Sequence, residues 1–294
     1  MTAATEAVSR RNVAAIIVGH SLREAARRRV LVVVGALTVA FLVLFALGAN
    51  FAFDEESAFT AGTLSIRDRA LTGATLMGLA MFATLFLGAV LATFLTMGVV
   101  RGDAESGMLQ PLVARPAGRG TILIGRLGGA ALVSAAYVIV VFCASAVIVN
   151  VIGDWSPDRP VQAALLLALA VAAVAAISVL ASVWLSATAQ GIAVLMVYGG
   201  GLTAGLLGQV GESLDSERLV DISTAVSWAL PFEAVYQDAL AALVADTGGL
   251  AQIVLELGPF GGGKSGGLPL LVWVAFYLAA VIAVAAWGFR RRDL

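Results

Sequence analysis

The sequence predicts an all-α polytopic membrane protein with six transmembrane helices and both termini in the cytoplasm. Three observations carry this prediction. Of the 294 residues, 60% are hydrophobic and only 13% are charged, where soluble domains carry about a quarter. The apolar residues gather into runs long enough to cross a bilayer. The basic residues between those runs fall mostly on one side.

A spanning helix needs roughly 20 apolar residues to cross about 30 Å of hydrocarbon. The first run covers residues 30–49, the second 73–100 and the third 127–152. From Pro160 to Gly211 there is no charged residue. That stretch is about two spans long. The polar cluster from Ser186 to Gly191 is the place for a turn, which gives spans at 161–185 and 189–210. The sixth run, 268–289, is entered through Pro269. No cleavable signal peptide is expected, because residues 1–29 are polar and Arg-rich and the run that follows is longer than a signal core.

Arginine and lysine set the orientation. Arg10, Arg11, Arg23, Arg27, Arg28 and Arg29 precede the first span. Arg101, Arg115, Arg119 and Arg126 follow the second, and Arg290, Arg291 and Arg292 follow the sixth. These are 13 of the 18 basic residues, and an even number of spans brings both basic termini to the same, cytoplasmic, side. A set of 17 arginines against one lysine, with abundant Ala, Val and Gly, fits a GC-rich bacterial genome. The expected location is therefore a bacterial inner (cytoplasmic) membrane.

Several functions are excluded early. Cys143 and His20 are the only residues of their kinds, so neither a disulfide, a Cys/His metal centre nor a Cys–His nucleophile can be built. No catalytic, cofactor-binding or metal-binding residue is assigned, and no basic patch suits a nucleic acid. None of the six runs contains Asp, Glu, Lys or Arg. This argues against a secondary transporter with its own proton relay, and against an intramembrane hydrolase. The string from Gly258 to Ser265 matches G-x-x-x-x-G-K-S, but that pattern binds phosphate only between a buried strand and a helix. Here it leads from an external segment into span six, and it is read as a glycine-rich linker.

The loop after span two, residues 101–120, carries the most information. Met108, Leu109, Leu112 and Val113 share one helical face, Asp103 can cap its start, and Gly107 and Pro111 keep it short. Two readings fit, a docking surface for another protein and a helix lying on the membrane.

The series Arg101-Gly102-Asp103-x-Glu105-Ser106-Gly107-x-Leu109-x-x-Leu112-x-x-Arg115-Pro116-x-x-Arg119 resembles the segment after the second span in ABC-2 type permeases, the membrane subunits of ATP-driven exporters. Met108 stands where Thr is common. The basic N-terminal segment, the Ser/Thr turn between spans four and five, the long external segment and the Phe289–Arg292 ending are also similar, in the family's order. The resemblance implies an ABC-2 exporter-type fold in one domain. It implies a coupling role for Arg101, Asp103, Glu105, Ser106, Gly107, Met108, Leu109, Leu112, Pro116 and Arg119, seated in a groove of an ATPase subunit that binds ATP and Mg²⁺. It also implies a second copy of this chain or a related permease as partner, and an N-terminal helix on the inner leaflet within residues 1–29, whose arginines favour anionic lipids.

The external segment, residues 211–267, contains a second amphipathic stretch. Phe232, Val235, Tyr236, Ala239 and Leu243 fall on one stripe, and Pro231 suits a first helical turn. It is read as a helix in the outer interface with Trp228 and Tyr236 at headgroup level; an amphipathic linker fits too. By resemblance, re-entrant or interfacial helices that close an outer gate are expected here. Gly199, Gly200, Gly201, Gly205 and Gly208 on span five permit close helix contact, either between two permease halves or within one subunit. The function expected is therefore the permease subunit of an ABC exporter, not itself an enzyme. The alternatives are a non-transporting membrane scaffold that anchors a soluble partner and, third, an ion-coupled secondary transporter.

Overall fold

A computed structural model describes residues 29–59, 66–97, 119–246 and 265–291. The N-terminal interfacial segment, the loop residues Arg101 to Pro116 and the string from Gly258 to Lys264 lie outside the described residues. Eight helices are found among the described residues: α1 Arg29–Phe59, α2 Ile66–Thr96, α3 Arg119–Gly153, α4 Pro160–Trp184, α5 Ala187–Ser213, α6 Glu217–Ala229, α7 Pro231–Ala241 and α8 Gly267–Arg290. Six of them, all but α6 and α7, are long and apolar enough to cross a membrane.

The helices outrun the apolar runs. α1 continues to Phe59 and α2 begins at Ile66, because the backbone stays hydrogen-bonded as a helix beyond the hydrocarbon, where Asp54 and Arg69 are at ease. Between α4 and α5 only Leu185 and Ser186 are non-helical. The polar cluster after them, including Gln190, is already the first turn of α5.

Successive spans alternate in direction, so the bundle has a basic end (the start of α1 and the end of α8) and an acidic end. Arg69 at the start of α2 meets Asp154 at the end of α3 at 3.2 Å. The ring of Phe53 at the end of α1 fills the space beside Gly153, 2.0 Å from where a Cβ would stand.

α4 is the centre. It packs against α2, α3, α5, α7 and α8, and Ala163, Ala164, Ala168, Ala170, Ala173, Ala175 and Ala176 are all buried. Lipid is as apolar as leucine, so helices in a bilayer associate through close packing, and small side chains let them approach. Buried hydroxyls are satisfied mostly within their own helix. Thr84 donates to the Ala80 carbonyl at 2.6 Å, Ser134 to Ala130 at 2.9 Å, and Ser182 to Val179 at 2.7 Å, the usual return bond of Ser and Thr in apolar helices. Between helices, Thr38 and Tyr137 join α1 to α3 at 2.5 Å.

Gly153→Val would drive a side chain into the Phe53 ring and is expected to cost about 1–3 kcal/mol. Thermal unfolding in detergent should show the loss, and adding Phe53→Ala should recover part of it.

Candidate functional site: a helical hairpin seated on span five

The chain leaves α5 at Ser213, turns through Asp215 in the left-handed region (φ 50) and starts α6 at Glu217. α6 then runs back along α5. A Cβ on Gly211 would sit 2.8 Å from Leu219 Cβ, and one on Gly208 would sit 3.0 Å from Ser223 Cβ. At Leu230 and Pro231 the chain reverses, with proline in the first turn of α7, where its missing N–H costs nothing. Phe232 then lies against Gly201 and Glu233 against Gly205. Gly201 stands 12 residues before Ser213, about 18 Å along the helix axis, so the hairpin reaches nearly halfway along the 27-residue α5.

α7 climbs back to the acidic end and is tied to the start of α4. Asp158 N–H donates to the Leu243 carbonyl at 3.0 Å and Arg159 N–H to Ala242 at 3.2 Å. The Arg159 guanidinium meets Asp246 at 2.7 Å, and that hydrogen bond, with the carboxylate's charge, pushes the Arg159 pKa above its ordinary value.

The stripe expected from the sequence forms, but it faces inward. Phe232, Val235, Tyr236, Ala239 and Leu243 are all 0% exposed, and α7 packs chiefly on α4. The stripe read as facing the outer interface is instead packed inside the protein, where Pro231, Phe232, Val235 and Tyr236 are buried. The physical reason is the alanine face of α4, which lets a second helix approach as closely as a lipid chain would. Only Trp228 keeps a surface position, 57% exposed. Trp273 of α8 meets it edge-on at 5.1 Å and donates from Nε1 to its carbonyl at 3.2 Å.

The hairpin also carries a carboxylate into the interior, which a search confined to the six apolar runs missed. Glu233 is 2% exposed. Ser227 Oγ donates to its Oε2 at 3.0 Å, and Gln237 Nε2 donates to Oε1. It stands in the first turn of α7, where the helix dipole favours a negative group. The lack of a side chain at Gly205 gives it room. The available signal was Pro231-x-Glu233 opening a helix, together with glycines at 201, 205 and 208 on one face of span five. Nearby, Tyr198 stacks on Phe232 at 5.6 Å, and the hydroxyls of Tyr198 and Tyr236 are buried without a hydrogen-bond partner. Asp238, one turn on, accepts from the backbone N–H groups of Gly266 and Gly267 and from Ser265 at the start of α8. Burial raises its pKa by more than those bonds lower it.

Of the residues expected to couple to an ATPase, only Arg119 falls within the described chain, as the first residue of α3. Arg101, Asp103, Glu105, Ser106, Gly107, Met108, Leu109, Leu112 and Pro116 lie outside it.

Six apolar helices around an alanine-lined centre, with a hairpin folded in from one end, define a multi-pass membrane protein. Its family is shown by sequence: the profile described as ABC-2 family transporter protein matches residues 15–294, and the chain belongs to that family. It is a membrane permease component of an ABC transporter. No curated protein matches the sequence.

Two outcomes are expected of the hairpin. In a Cys143→Ser background, Gly208→Cys with Ser223→Cys should form a disulfide under mild oxidation, because the two Cβ positions, 3.0 Å apart, need to separate by only about 0.5–0.8 Å to reach disulfide geometry. Peptide mass mapping reads it. Replacing Glu233 with Leu leaves the donors of Ser227 and Gln237 without their acceptor and should cost about 1–3 kcal/mol, read as a lower unfolding temperature in detergent.

Proposed function

We propose that this chain is the permease subunit of an ATP-binding cassette exporter, and that it forms the substrate path and couples to a separate ATPase chain. The observation that carries the proposal is the family match across residues 15–294 on a chain whose described residues build six membrane helices. Coupling is assigned to the loop between α2 and α3, with Glu105 and Leu109 at its centre and Arg101, Asp103, Ser106, Gly107, Met108, Leu112, Pro116 and Arg119 around them. ATP and Mg²⁺ bind the partner. In support, Ser265 and Gly266 lead directly into the apolar helix α8, which is not the setting of a phosphate-binding loop.

The second half of the transporter is another copy of this chain or a related permease. The glycines of span five divide between two roles. Gly201, Gly205, Gly208 and Gly211 seat the hairpin. Gly199 and Gly200 have nothing within 4 Å of an added Cβ and share the opposite face with exposed Ile192 and Met196. That open face is the one proposed to meet the second half, with the path lined by spans one, two and five. The assembly resides in a bacterial inner membrane with lipid around it.

The test is ATP hydrolysis by the partner ATPase in liposomes containing this chain. The natural sequence should bind and stimulate it. Glu105→Ala with Leu109→Ala should insert normally and lose about tenfold or more of that stimulation, a coupling free energy of ordinary size. If no ATPase binds, or if the double variant behaves as the parent, the coupling assignment fails and a membrane scaffold becomes the better description.

A further inference from the structure

At the basic end, where α2 stops and the loop to α3 begins, the last carbonyls of α2 have no partner within the helix. One of them is taken by a side chain from another span. Gln190 Nε2 donates to the carbonyl of Thr96, the last residue of α2, at 3.1 Å. The same amide nitrogen is 3.0 Å from the Ser178 carbonyl and 3.0 Å from Ser178 Oγ, and Thr96 Oγ1 lies 2.7 Å from Ser178 Oγ. Thr96, Ser178 and Gln190 are each 0% exposed. The next residue on each side repeats the contact: the methyl of Met97 fills the space left by Gly191, 2.6 Å from where a Cβ would stand. Two consecutive residues at the entrance to the loop are thus gripped by two consecutive residues near the start of α5.

α5 is the helix on which the hairpin sits, with its open glycine face on the opposite side. A helix is rigid along its axis, so a displacement of Thr96 and Met97 is delivered to α5 at Gln190 and carried toward the hairpin seat that begins at Gly201. We infer that Gln190, with Gly191, is a positioning pair that passes movement of the loop after span two to span five. This rests on the reading that the loop engages an ATPase. It adds that the route to the hairpin runs through the grip of Gln190 and Gly191 on Thr96 and Met97, with the bond to the Thr96 carbonyl as its polar link, and not through the loop's own helices alone. A coupling claim of this kind needs an element that responds, not mere adjacency.

Ser178→Ala separates the route from simple internal adhesion. It removes the hydroxyl that both Thr96 and Gln190 use but leaves the bond from Gln190 to the Thr96 carbonyl. Gln190→Met keeps length and volume and removes that bond; Gln190→Leu serves as the second variant if the first fails to fold. In a Cys143→Ser, Leu214→Cys chain, an environment-sensitive fluorophore on Leu214→Cys, 67% exposed just past the end of α5 and away from the face proposed to meet the second half, reports on α5 at its hairpin turn. The labelled protein is reconstituted with its ATPase, and fluorescence is followed on adding ATP with Mg²⁺ and vanadate.

The parent and Ser178→Ala should both respond. Gln190→Met should bind the ATPase with unchanged affinity and lose about fivefold or more of the response, the lower end of ordinary coupling. The inference is overturned if Gln190→Met responds as the parent does. It is equally overturned if Ser178→Ala loses the response in parallel, or if the parent hydrolyses ATP with no change at α5. An ATPase that does not bind the parent at all sinks the proposed function itself, and with it the inference.

Discussion

Inside a bilayer, a polar group that finds no partner in the protein finds none elsewhere. This constraint bears on two interior side chains, Glu233 and Gln190, which are met from several sides, unlike the unpartnered hydroxyls of Tyr198 and Tyr236. Glu233 is tolerated because Ser227, Gln237 and a helix N-terminus converge on it. Gln190 is tolerated because its amide meets three oxygens from two other spans. In each case a glycine on α5 lets the partners close in, Gly205 in one and Gly191 in the other. Polar residues and glycines thus meet on α5, which supplies Gly205 beside Glu233 of α7 and both Gln190 and Gly191 at its own start.

The bundle around them is ordinary close packing. α4, rich in alanine, lies at the centre and touches five other helices. Its shape determines what can be buried: a helix with Phe232, Val235 and Tyr236 on one face finds a better seat against alanines than against lipid. That preference turns an amphipathic segment inward and brings its polar side, Glu233 included, against α5.

The six spans were legible because charge is absent from each run; the length of the run from Pro160 to Gly211 required two helices, and its polar cluster from Ser186 to Gly191 marked where to divide it. The hairpin was only half legible. Its stripe could be read, but a stripe says which residues share a face, not whether that face meets lipid or protein. Deciding this requires the alanine surface of α4, which is made of residues distant in sequence. Gln190 was taken as part of a turn because polar residues between apolar runs usually are, and its role depends on Thr96, a contact across 94 residues. The glycines of span five do not share one face: Gly201, Gly205 and Gly208 meet the hairpin while Gly199 and Gly200 are open, because consecutive glycines on a helix point to different sides.

The two-residue link between α4 and α5 has a consequence for how the chain is assembled. Uncharged and tightly joined, these two helices enter the membrane together on apolarity alone. The segment that follows cannot do so, since Glu217, Arg218, Asp221, Glu233 and Asp238 make it too polar to partition unaided. Its place in the bundle therefore depends on the surface that α4 and α5 present to it.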